Sequence, residues 1–381
     1  MNIREALGLP PKKKVRYALV GLGDIAQEAM LPGVEHTGNS AITALVTGDP
    51  VKAGRLAERY GVGHIYSYEQ YPEMLRSGDV DAIYLAMPNW RHAEFVLPAL
   101  AAGIHVLAEK PLEINTERCQ QILDAQRASS AKLMVAYRLH FEPATVAAIE
   151  RVRSGDLGRV HLFTSAFSQL VDPENHRARN GEAAGPVFDM GPYPVNAARN
   201  LFEAEPTEVI ALGTRHAGSG LGDFDDTVSV SLRFPGDRLA QFVVSYYGSP
   251  VDMYTALGTR GSLEVKPGFA YGEGLEHTVT IDGKTEHTSY KNTDQFGGEM
   301  KYFSDCVLHD IDPEPDAEEG LADVRVLEAI LRSLQTEQPQ TLEPFARRKR
   351  IDRDQVVRLG AVKPPEPIHA SSPERPAAAA S

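Results

Sequence analysis

Few folds accommodate a glycine-rich turn directly after an apolar, strand-like run, and this chain has one at Gly21-Leu22-Gly23-Asp24-Ile25-Ala26. In the pattern G-x-G-x-x-A the first glycine permits a tight turn, the second lets the backbone approach a pyrophosphate, and the alanine lets helix and strand pack closely. Free amides at the start of the following helix favour an anion. The turn therefore predicts a dinucleotide site, although an ordinary strand-to-helix turn can carry the same short pattern.

The surrounding sequence favours the dinucleotide interpretation. Short apolar runs alternate with amphipathic segments of helical length, which predicts βαβ units and a parallel sheet. Predicted strands cover residues 15–20, 41–47, 82–87, 104–108 and 133–137. Predicted helices cover residues 50–60, 93–102 and 115–128. This alternation places the glycine turn at the first strand-to-helix junction of the series.

The second half of the chain has a different pattern. Residues 225–266 alternate apolar and polar positions between turn signals, which predicts an antiparallel meander, and helices are predicted at 295–308 and 320–334. The fold class is therefore predicted as α/β with a second, α+β domain. The predicted segments are an N-terminal arm (1–14), a doubly wound Rossmann domain with a parallel sheet (15–138), an α+β domain with a largely antiparallel open sheet (139–345), and a tail (346–381).

The predicted tail differs from the rest of the chain in composition. It begins with the basic run Arg347-Arg348-Lys349-Arg350, most simply a solvated charge cluster, with partner binding as the alternative. From Ala361 onward it holds five prolines and six alanines in 21 residues. Such a composition buries no core, so we expect disorder there.

The charge balance and the cysteines narrow the possible functions. Thirty-nine basic and 52 acidic residues give a net charge of −13, whereas binding nucleic acid through its phosphates needs a basic face. Cys119 and Cys306 have no metal-ligand or redox spacing, so neither a disulfide scaffold nor a metal site is expected. The longest apolar stretch, residues 96–108, is too short to span a bilayer, and no secretion signal is recognisable. We expect a cytoplasmic protein that binds neither membrane nor nucleic acid.

The end of the second predicted strand bears on cofactor choice. NAD-preferring sites place an acidic residue about 20 positions beyond the glycine turn, where it binds the ribose 2′-hydroxyl. This chain has Thr47 and Gly48 there, while Lys52 and Arg55 on the next helix could supply positive charge to a 2′-phosphate. The pattern favours NADP(H) over NAD(H), and Asp49 is the residue that argues the other way.

Further motifs lie beyond the carboxyl ends of predicted strands, where a doubly wound sheet binds its ligands. Pro88-Asn89 and His92 follow one strand, and Glu109-Lys110 follows the next. With these motifs the chain resembles the glucose-fructose oxidoreductase / inositol dehydrogenase family of nicotinamide-dependent enzymes, from about residue 15 to residue 342. The resemblance is carried by GLGDIA (21–26), PNWRHAEF (88–95), AEKPL (108–112), AYRLHFEP (136–143), GPVFDMGPYPVN (185–196) and EEGLADV (318–324).

This resemblance implies a catalytic set of Lys110, Asp189 and Tyr193. In that family the lysine of the E-K-P motif lies near the nicotinamide and the substrate hydroxyl, and an acidic residue with a His or Tyr four positions later completes the site. Positions i and i+4 of a helical turn face the same way, so Asp189 and Tyr193 can point at one substrate oxygen. An ammonium close to a phenol favours the phenolate, so Tyr193 can exchange a proton while Lys110 polarises the oxygen.

Tyrosine rather than histidine at position 193 makes the glucose-fructose oxidoreductase branch, which holds NADP tightly, the nearest resemblance. The residues then expected to contact the cofactor are Gly21, Gly23, Asp24, Ile25, Ala26, Thr47, Gly48, Lys52, Pro88, Asn89, His92, Glu109, Lys110 and Arg138. Those expected on the substrate side are Lys110, Tyr137, His140, His176, Asp189 and Tyr193. Taken singly, Lys110 is also consistent with a surface lysine and Tyr193 with a half-buried tyrosine.

The predicted function is NADP(H)-dependent transfer of hydride to or from a cyclic sugar or polyol. One alternative is an aldose or 1,5-anhydro-sugar reductase, or a pentose dehydrogenase, that exchanges its cofactor in every cycle. Another is a nucleotide-sensing regulator without chemistry, against which the complete Lys110, Asp189 and Tyr193 set argues, since a sensor needs no proton relay. We also expect a homodimer or homotetramer formed through the sheet of the second domain.

Overall fold

The computed structural model describes residues 13–347 and 349–374, which form two β-sheets with helices packed against them. The predicted N-terminal arm therefore lies almost entirely outside the described residues, as do Arg348 and residues 375–381. Within the described part of the chain, no helix is both long and apolar enough to cross a bilayer.

The first sheet has six parallel strands in the order β3-β2-β1-β4-β5-β6, which confirms the predicted Rossmann topology. Its strands are β1 (Val15–Val20), β2 (Ser40–Val46), β3 (His64–Tyr66), β4 (Ala82–Leu85), β5 (His105–Glu109) and β6 (Leu133–Ala136). The helices between them are α1 (Leu31–Thr37), entered through a π-helical turn at Ala26–Met30, then α2 (Pro50–Tyr60), α3 (Tyr71–Met74), α4 (His92–Ala101) and α5 (Thr116–Ala128). Alternate β1 side chains enter different core clusters, as expected for a sheet covered on both faces.

The second sheet has nine strands in the order β14-β13-β12-β11-β7-β10-β9-β8-β15, and it is largely antiparallel as predicted. Its strands are β7 (Val160–Leu170), β8 (Glu208–Thr214), β9 (Thr227–Phe234), β10 (Arg238–Ser245), β11 (Tyr247–Gly258), β12 (Gly261–Val265), β13 (Glu276–Ile281), β14 (Lys284–Ser289) and β15 (Gln340–Thr341). Residues 225–266 do not form one continuous meander, because β7 lies between β10 and β11 and pairs in parallel with β10.

One helix joins the two cores. The later helices are α6 (Pro143–Arg153), α7 (His176–Arg179), α8 (Pro186–Asp189), α9 (Pro192–Phe202), α10 (Gln295–His309) and α11 (Ala317–Thr336). Along α11, Leu321 and Val324 belong to a core cluster of the first sheet, whereas Leu327 and Ile330 belong to that of the second. The two sheets are therefore held by a shared hydrophobic helix.

One expectation for the C-terminal segment is wrong. Arg347 is not solvated: its side chain is fully buried and pairs with Asp316 at 2.6 Å and Glu319 at 2.8 Å. Within residues 361–374, Ile368 is only 4% exposed and belongs to the core cluster of α1 and α2, whereas most of the other side chains are exposed. The disorder expected from the composition of the tail stays a prediction.

Candidate active site

The glycine turn has the geometry that a dinucleotide phosphate needs. Gly21 has a φ of +88°, and a Cβ there would lie 2.6 Å from the carbonyl oxygen of Ala86, so only glycine fits. At Gly23 no atom lies within 4 Å of the position that a Cβ would take. Ala26 is fully buried against the sheet. The turn therefore leaves open space beside a helix start, which fits the pyrophosphate of a dinucleotide.

The end of β2 carries the residues predicted to choose between NAD and NADP. Thr47 is largely buried, and its hydroxyl accepts a hydrogen bond from the backbone of Asp49 at 3.3 Å. Asp49 caps α2 by accepting from the Lys52 amide at 2.9 Å. This bond, followed by one from His369, lowers the pKa of Asp49. His369, 320 positions further along the chain, therefore also contacts the end of β2, through Asp49.

Lys110 and Asp189 come together although 79 residues separate them. Lys110, directly after β5, donates from Nζ to the Asp189 carbonyl at 2.7 Å and lies 3.5 Å from Asp189 Oδ1. Arg177 Nε lies 3.0 Å from Asp189 Oδ2, and the Tyr246 hydroxyl lies 2.9 Å from the same oxygen. Two cations and a phenol therefore surround one carboxylate.

These contacts fix the charges at the site. Burial by itself would raise the pKa of Asp189, but Arg177, Lys110 and the Tyr246 hydrogen bond outweigh it and lower the pKa to about 2. Burial would likewise lower the pKa of Lys110, yet Tyr193 and the Asp189 carboxylate raise it above its usual value. At neutral pH the site therefore holds an ionised aspartate and a protonated lysine.

Tyr193 lies beside two cationic side chains, Lys110 and Arg138. Lys110 Nζ is 4.6 Å from the centre of its ring, and Arg138 Nη2 donates to its hydroxyl at 3.3 Å. Phe167 and Phe269 contact the other sides of the ring, with centroids 5.4 and 5.7 Å away. The phenol is thus held by packing, and its oxygen faces positive charge.

The spacing of Asp189 and Tyr193 suggests that both lie on one helix, but in the structure they lie on two. Asp189 ends α8 and Tyr193 lies in the first turn of α9, with a break between the helices at Gly191. A Cβ on Gly191 would lie 2.2 Å from the Val187 carbonyl oxygen, so this close turn requires glycine. The two side chains still reach the same lysine, because the tight break keeps the helices adjacent.

Two predicted cofactor residues of the first domain, His92 and Asn89, make contacts within the protein. His92 is fully buried, with its ring nitrogens 2.9 Å from the Met87 carbonyl and 3.1 Å from the Leu112 carbonyl. Asn89, after Pro88, donates to the carbonyl of Ala183 at 2.8 Å. His92 therefore holds two loops together, and Asn89 joins the loop after β4 to the second domain.

The AYRLHFEP segment, expected on the substrate side, turns largely inward. His140 is buried between Glu314 at 3.0 Å and Asn196 at 2.8 Å, and Tyr137 belongs to a core cluster. Arg138 is buried below Tyr193, where it donates to backbone carbonyls and to Gln295. Within this segment, Arg138 is the residue that contacts a catalytic candidate, through its hydrogen bond to the Tyr193 hydroxyl.

His176 is one of the residues predicted on the substrate side, but it is its neighbour Arg177, not predicted from the sequence, that contacts Asp189. His176 is exposed at the start of α7, whereas Arg177 holds Asp189 and also interacts electrostatically with Asp24 of the glycine turn. Tyr246, just after β10, was not singled out either, because no local pattern marks it. Glu109, predicted on the cofactor side, accepts a hydrogen bond from the Tyr84 hydroxyl.

Comparison with known proteins agrees with this architecture. Residues 15–137 match the model of an oxidoreductase family with an NAD-binding Rossmann fold, and residues 145–264 match a GFO/IDH/MocA C-terminal domain. An NADP(+)-dependent D-xylose 1-dehydrogenase of Haloarcula marismortui is 31% identical, over 86% of this chain and 93% of that protein. A dTDP-3,4-didehydro-2,6-dideoxy-alpha-D-glucose 3-reductase of Actinomadura kijaniata is 27% identical, over 83% of this chain and 94% of that protein.

A solved structure extends the similarity to three dimensions. The aldose-aldose oxidoreductase from Caulobacter crescentus, complexed with glycerol, superimposes with a TM-score of 0.82 at 31% identity. The match covers 100% of that chain but 87% of this one. Part of this chain therefore has no counterpart there.

Proposed function

The chain belongs to the Gfo/Idh/MocA oxidoreductase family with its NAD-binding Rossmann fold, and on this basis we propose that it is an NADP(H)-dependent oxidoreductase acting on a CH–OH group of a cyclic sugar or polyol. One observation carries the proposal: Lys110, Asp189 and Tyr193 converge beyond the carboxyl end of β5, and Arg177 links them electrostatically to the glycine turn. The sugar substrates and NADP named for the relatives support the choice of substrate and cofactor.

Each part of the cofactor would meet a different part of the first domain. The amides of residues 21–26 would hold the pyrophosphate, and Thr47, Gly48 and Lys52 would surround the 2′-phosphate. Lys110 and Glu109 follow β5 at the edge where a doubly wound sheet binds its ligand, so they would lie near the nicotinamide. When bound, the nicotinamide supplies the hydride donor or acceptor.

Tyr193 is proposed as the proton donor and acceptor for the substrate oxygen. Its hydroxyl accepts a hydrogen bond from Arg138, and the Lys110 ammonium lies over its ring, so both cations stabilise negative charge on the phenol. During oxidation Tyr193 would take the hydroxyl proton, and during reduction it would return it. Lys110 would polarise the substrate oxygen while Asp189 holds its ammonium in place.

A second candidate within the same chemistry is an aldose 1-dehydrogenase that releases its cofactor in each cycle. Two relatives are D-xylose 1-dehydrogenases that use NADP(+), and this favours a pentose or related aldose as the substrate. Cofactor retention separates the candidates. A nicotinamide that survives gel filtration, and that one sugar reduces and another reoxidises, indicates a coupled oxidoreductase; a cofactor that washes off indicates the dehydrogenase.

The proposed function is tested by a sugar and polyol screen with NADP and NAD in both directions, followed by the absorbance of reduced nicotinamide. Tyr193→Phe should lower kcat on the best substrate by about 10²–10⁴-fold, because it loses only the proton-transferring oxygen. NADPH binding should persist in this variant. Tyr290→Phe, directly after β14 and in contact with His277, is the matched control. A kcat equal to that of the wild type in Tyr193→Phe would show that Tyr193 does not transfer the proton.

We further propose that the open face of the nine-stranded sheet forms a homodimer or homotetramer interface. This face exposes the apolar side chains of Ile210 and Leu212 on β8 and of Leu239 and Val243 on β10, with Ser229 and Ser231 of β9 between them. Several exposed apolar side chains on one face of a sheet are typical of interaction sites. Leu212→Glu should shift the protein towards monomer in sedimentation analysis, whereas the same change at exposed Ile311, away from the sheet, should not; an unchanged mass would contradict the proposal.

A further inference from the structure

The described end of the chain crosses from one sheet to the other, and residues 361–374 are called here the C-terminal strap. Ile368 is held by the side chain of Gln27: its amide donates to Gln27 Oε1 at 2.7 Å, and its carbonyl accepts from Gln27 Nε2 at 2.9 Å. Gln27 Nε2 also lies 3.0 Å from the carbonyl of Leu22, in the glycine turn. A buried glutamine thus ties the strap directly to the turn that is proposed to bind phosphate.

The strap also reaches the second sheet. Pro373 accepts a hydrogen bond from the amide of Asp172 at 2.9 Å, and Glu374 forms an antiparallel bridge with Val171, just beyond β7. On the other side, Arg59 of α2 donates to the carbonyl of Glu366 at 2.9 Å. The strap is therefore fixed at both ends, and its middle lies beside the corner formed by the glycine turn and the end of β2.

His369 is the strap residue that meets this corner. Its Nδ1 lies 3.0 Å from Asp49 Oδ2, and its side chain is 51% exposed, so the residue can be reached by a ligand from solvent. Its φ of +46° lies in the left-handed region, which residues other than glycine adopt at a cost. Such strain persists where the surrounding structure determines the conformation and is concentrated at functional sites.

The position of His369 addresses the one sequence feature that argues against NADP. Asp49 carries negative charge at the end of β2, where a 2′-phosphate would lie, and would repel it. We propose that His369 is a determinant of NADP preference: with both ring nitrogens protonated, it donates to the Asp49 carboxylate through Nδ1 and to the 2′-phosphate through Nε2. The inference rests on the proposed function, because it concerns the cofactor site of that same enzyme.

The strap lies outside the parts of the chain that the family models match, since these end at residue 264. The match to the aldose-aldose oxidoreductase likewise leaves part of this chain unmatched. A phosphate contact supplied by the strap would thus be a property of this chain rather than of the shared domains.

The test measures the two cofactors separately and needs no sugar. Full-length protein stripped of cofactor is titrated with NADPH and with NADH, and the nicotinamide fluorescence gives each dissociation constant. The variant is His369→Asn, because asparagine tolerates the left-handed backbone but has no imidazole ring. We expect the NADPH dissociation constant to rise about tenfold and that of NADH to stay within about twofold, the loss of one hydrogen bond to a charged group.

Four further proteins complete the experiment. His287→Asn, on exposed β14, and a chain ending after Glu374, which keeps the whole strap, should both bind like wild type. Asp49→Asn is made alone and together with His369→Asn, and it should raise NADPH affinity more in the His369→Asn background, because only there is the carboxylate not engaged by His369. An equal gain in both backgrounds would show that His369 does not act on Asp49.

The outcomes separate this inference from the proposed function. Equal weakening of NADPH and NADH, or no change in either, overturns the role of His369 and leaves the proposed function standing. Wild-type protein that binds neither nucleotide overturns both. A selective loss of NADPH affinity in His369→Asn, with a larger gain from Asp49→Asn in that background, supports the inference.

Discussion

Asp189 illustrates how contacts at a single residue decide its chemistry. Taken from the sequence, a carboxylate next to a lysine and a tyrosine could serve as a general base. In the structure, Arg177, Lys110 and Tyr246 surround it, and its pKa falls to about 2. Proton abstraction at neutral pH needs a group with a pKa near the working pH. Asp189 is therefore better suited to hold Lys110 in place than to move a proton.

Lys110→Met tests the complementary role of the lysine. The variant keeps much of the side-chain volume but removes the charge that would stabilise the substrate oxygen, so we expect kcat to fall by about 10²-fold or more. NADPH affinity should change little. Lys301→Met is the matched control, since Lys301 forms a surface pair with Asp305 on α10. Full activity in Lys110→Met would show that the ammonium does not act on the substrate.

At the scale of elements, α11 connects the two halves of the molecule through charge as well as packing. Arg199 of α9 is completely buried and pairs with Glu319 of α11 at 2.8 Å and with Glu205 at 2.6 Å. Arg347, from the segment after β15, pairs with the other side of Glu319 at 2.8 Å. Burial would raise the pKa of Glu319, but these two guanidinium groups outweigh it and lower that pKa. The EEGLADV motif is therefore explained by a buried ionic network.

Removal of one cation should damage this network. Arg199→Met leaves the buried carboxylates of Glu319 and Asp323 short of a partner, and we expect the free energy of unfolding to fall by about 3–5 kcal/mol. Arg332→Met, which breaks a surface pair with Glu328 on the same helix, should cost less than about 1 kcal/mol. Urea unfolding of both variants gives the comparison. Equal decreases in the free energy of unfolding in the two variants would show that the buried ion pairs stabilise the protein no more than the surface pair does.

At the scale of the whole molecule, the buried His277 is expected to make the free energy of unfolding depend on pH. It lies on β13, is 4% exposed and contacts the ring of Tyr290, and burial lowers its pKa from 6.5 to about 4. Between these values the unfolded chain binds a proton that the folded chain excludes. The free energy of unfolding should therefore fall by about 3 kcal/mol as the pH drops from 6.5 to about 4 on account of this residue.

The contribution is isolated by comparison with His277→Gln. Asp252 acts in the opposite direction, because burial raises its pKa to about 6, so the total slope of the wild type alone does not identify His277. The difference in unfolding free energy between wild type and His277→Gln should narrow or reverse towards pH 4. A difference that stays constant from pH 7 to pH 4 would contradict the assignment.

Local patterns in the sequence account for the order of the elements and for three residues of the candidate site. The spacing of apolar residues gave the order of strands and helices, and the glycine turn marked the first strand-to-helix junction, because such turns need particular residues at particular backbone angles. The E-K-P and GPVFDMGPYPVN motifs located Lys110, Asp189 and Tyr193, which the structure brings together.

Only the tertiary structure decided which other side chains surround these residues. Tyr246 and Arg177 reach Asp189 from other elements, and His369 reaches Asp49 across 320 positions of the chain. In the structure His92, Tyr137 and His140 make buried contacts within the protein, although their motifs suggested that they bind a ligand. The physical reason is that a pattern of neighbouring residues records the backbone a segment adopts, whereas charge pairing and burial depend on which distant segments pack against it.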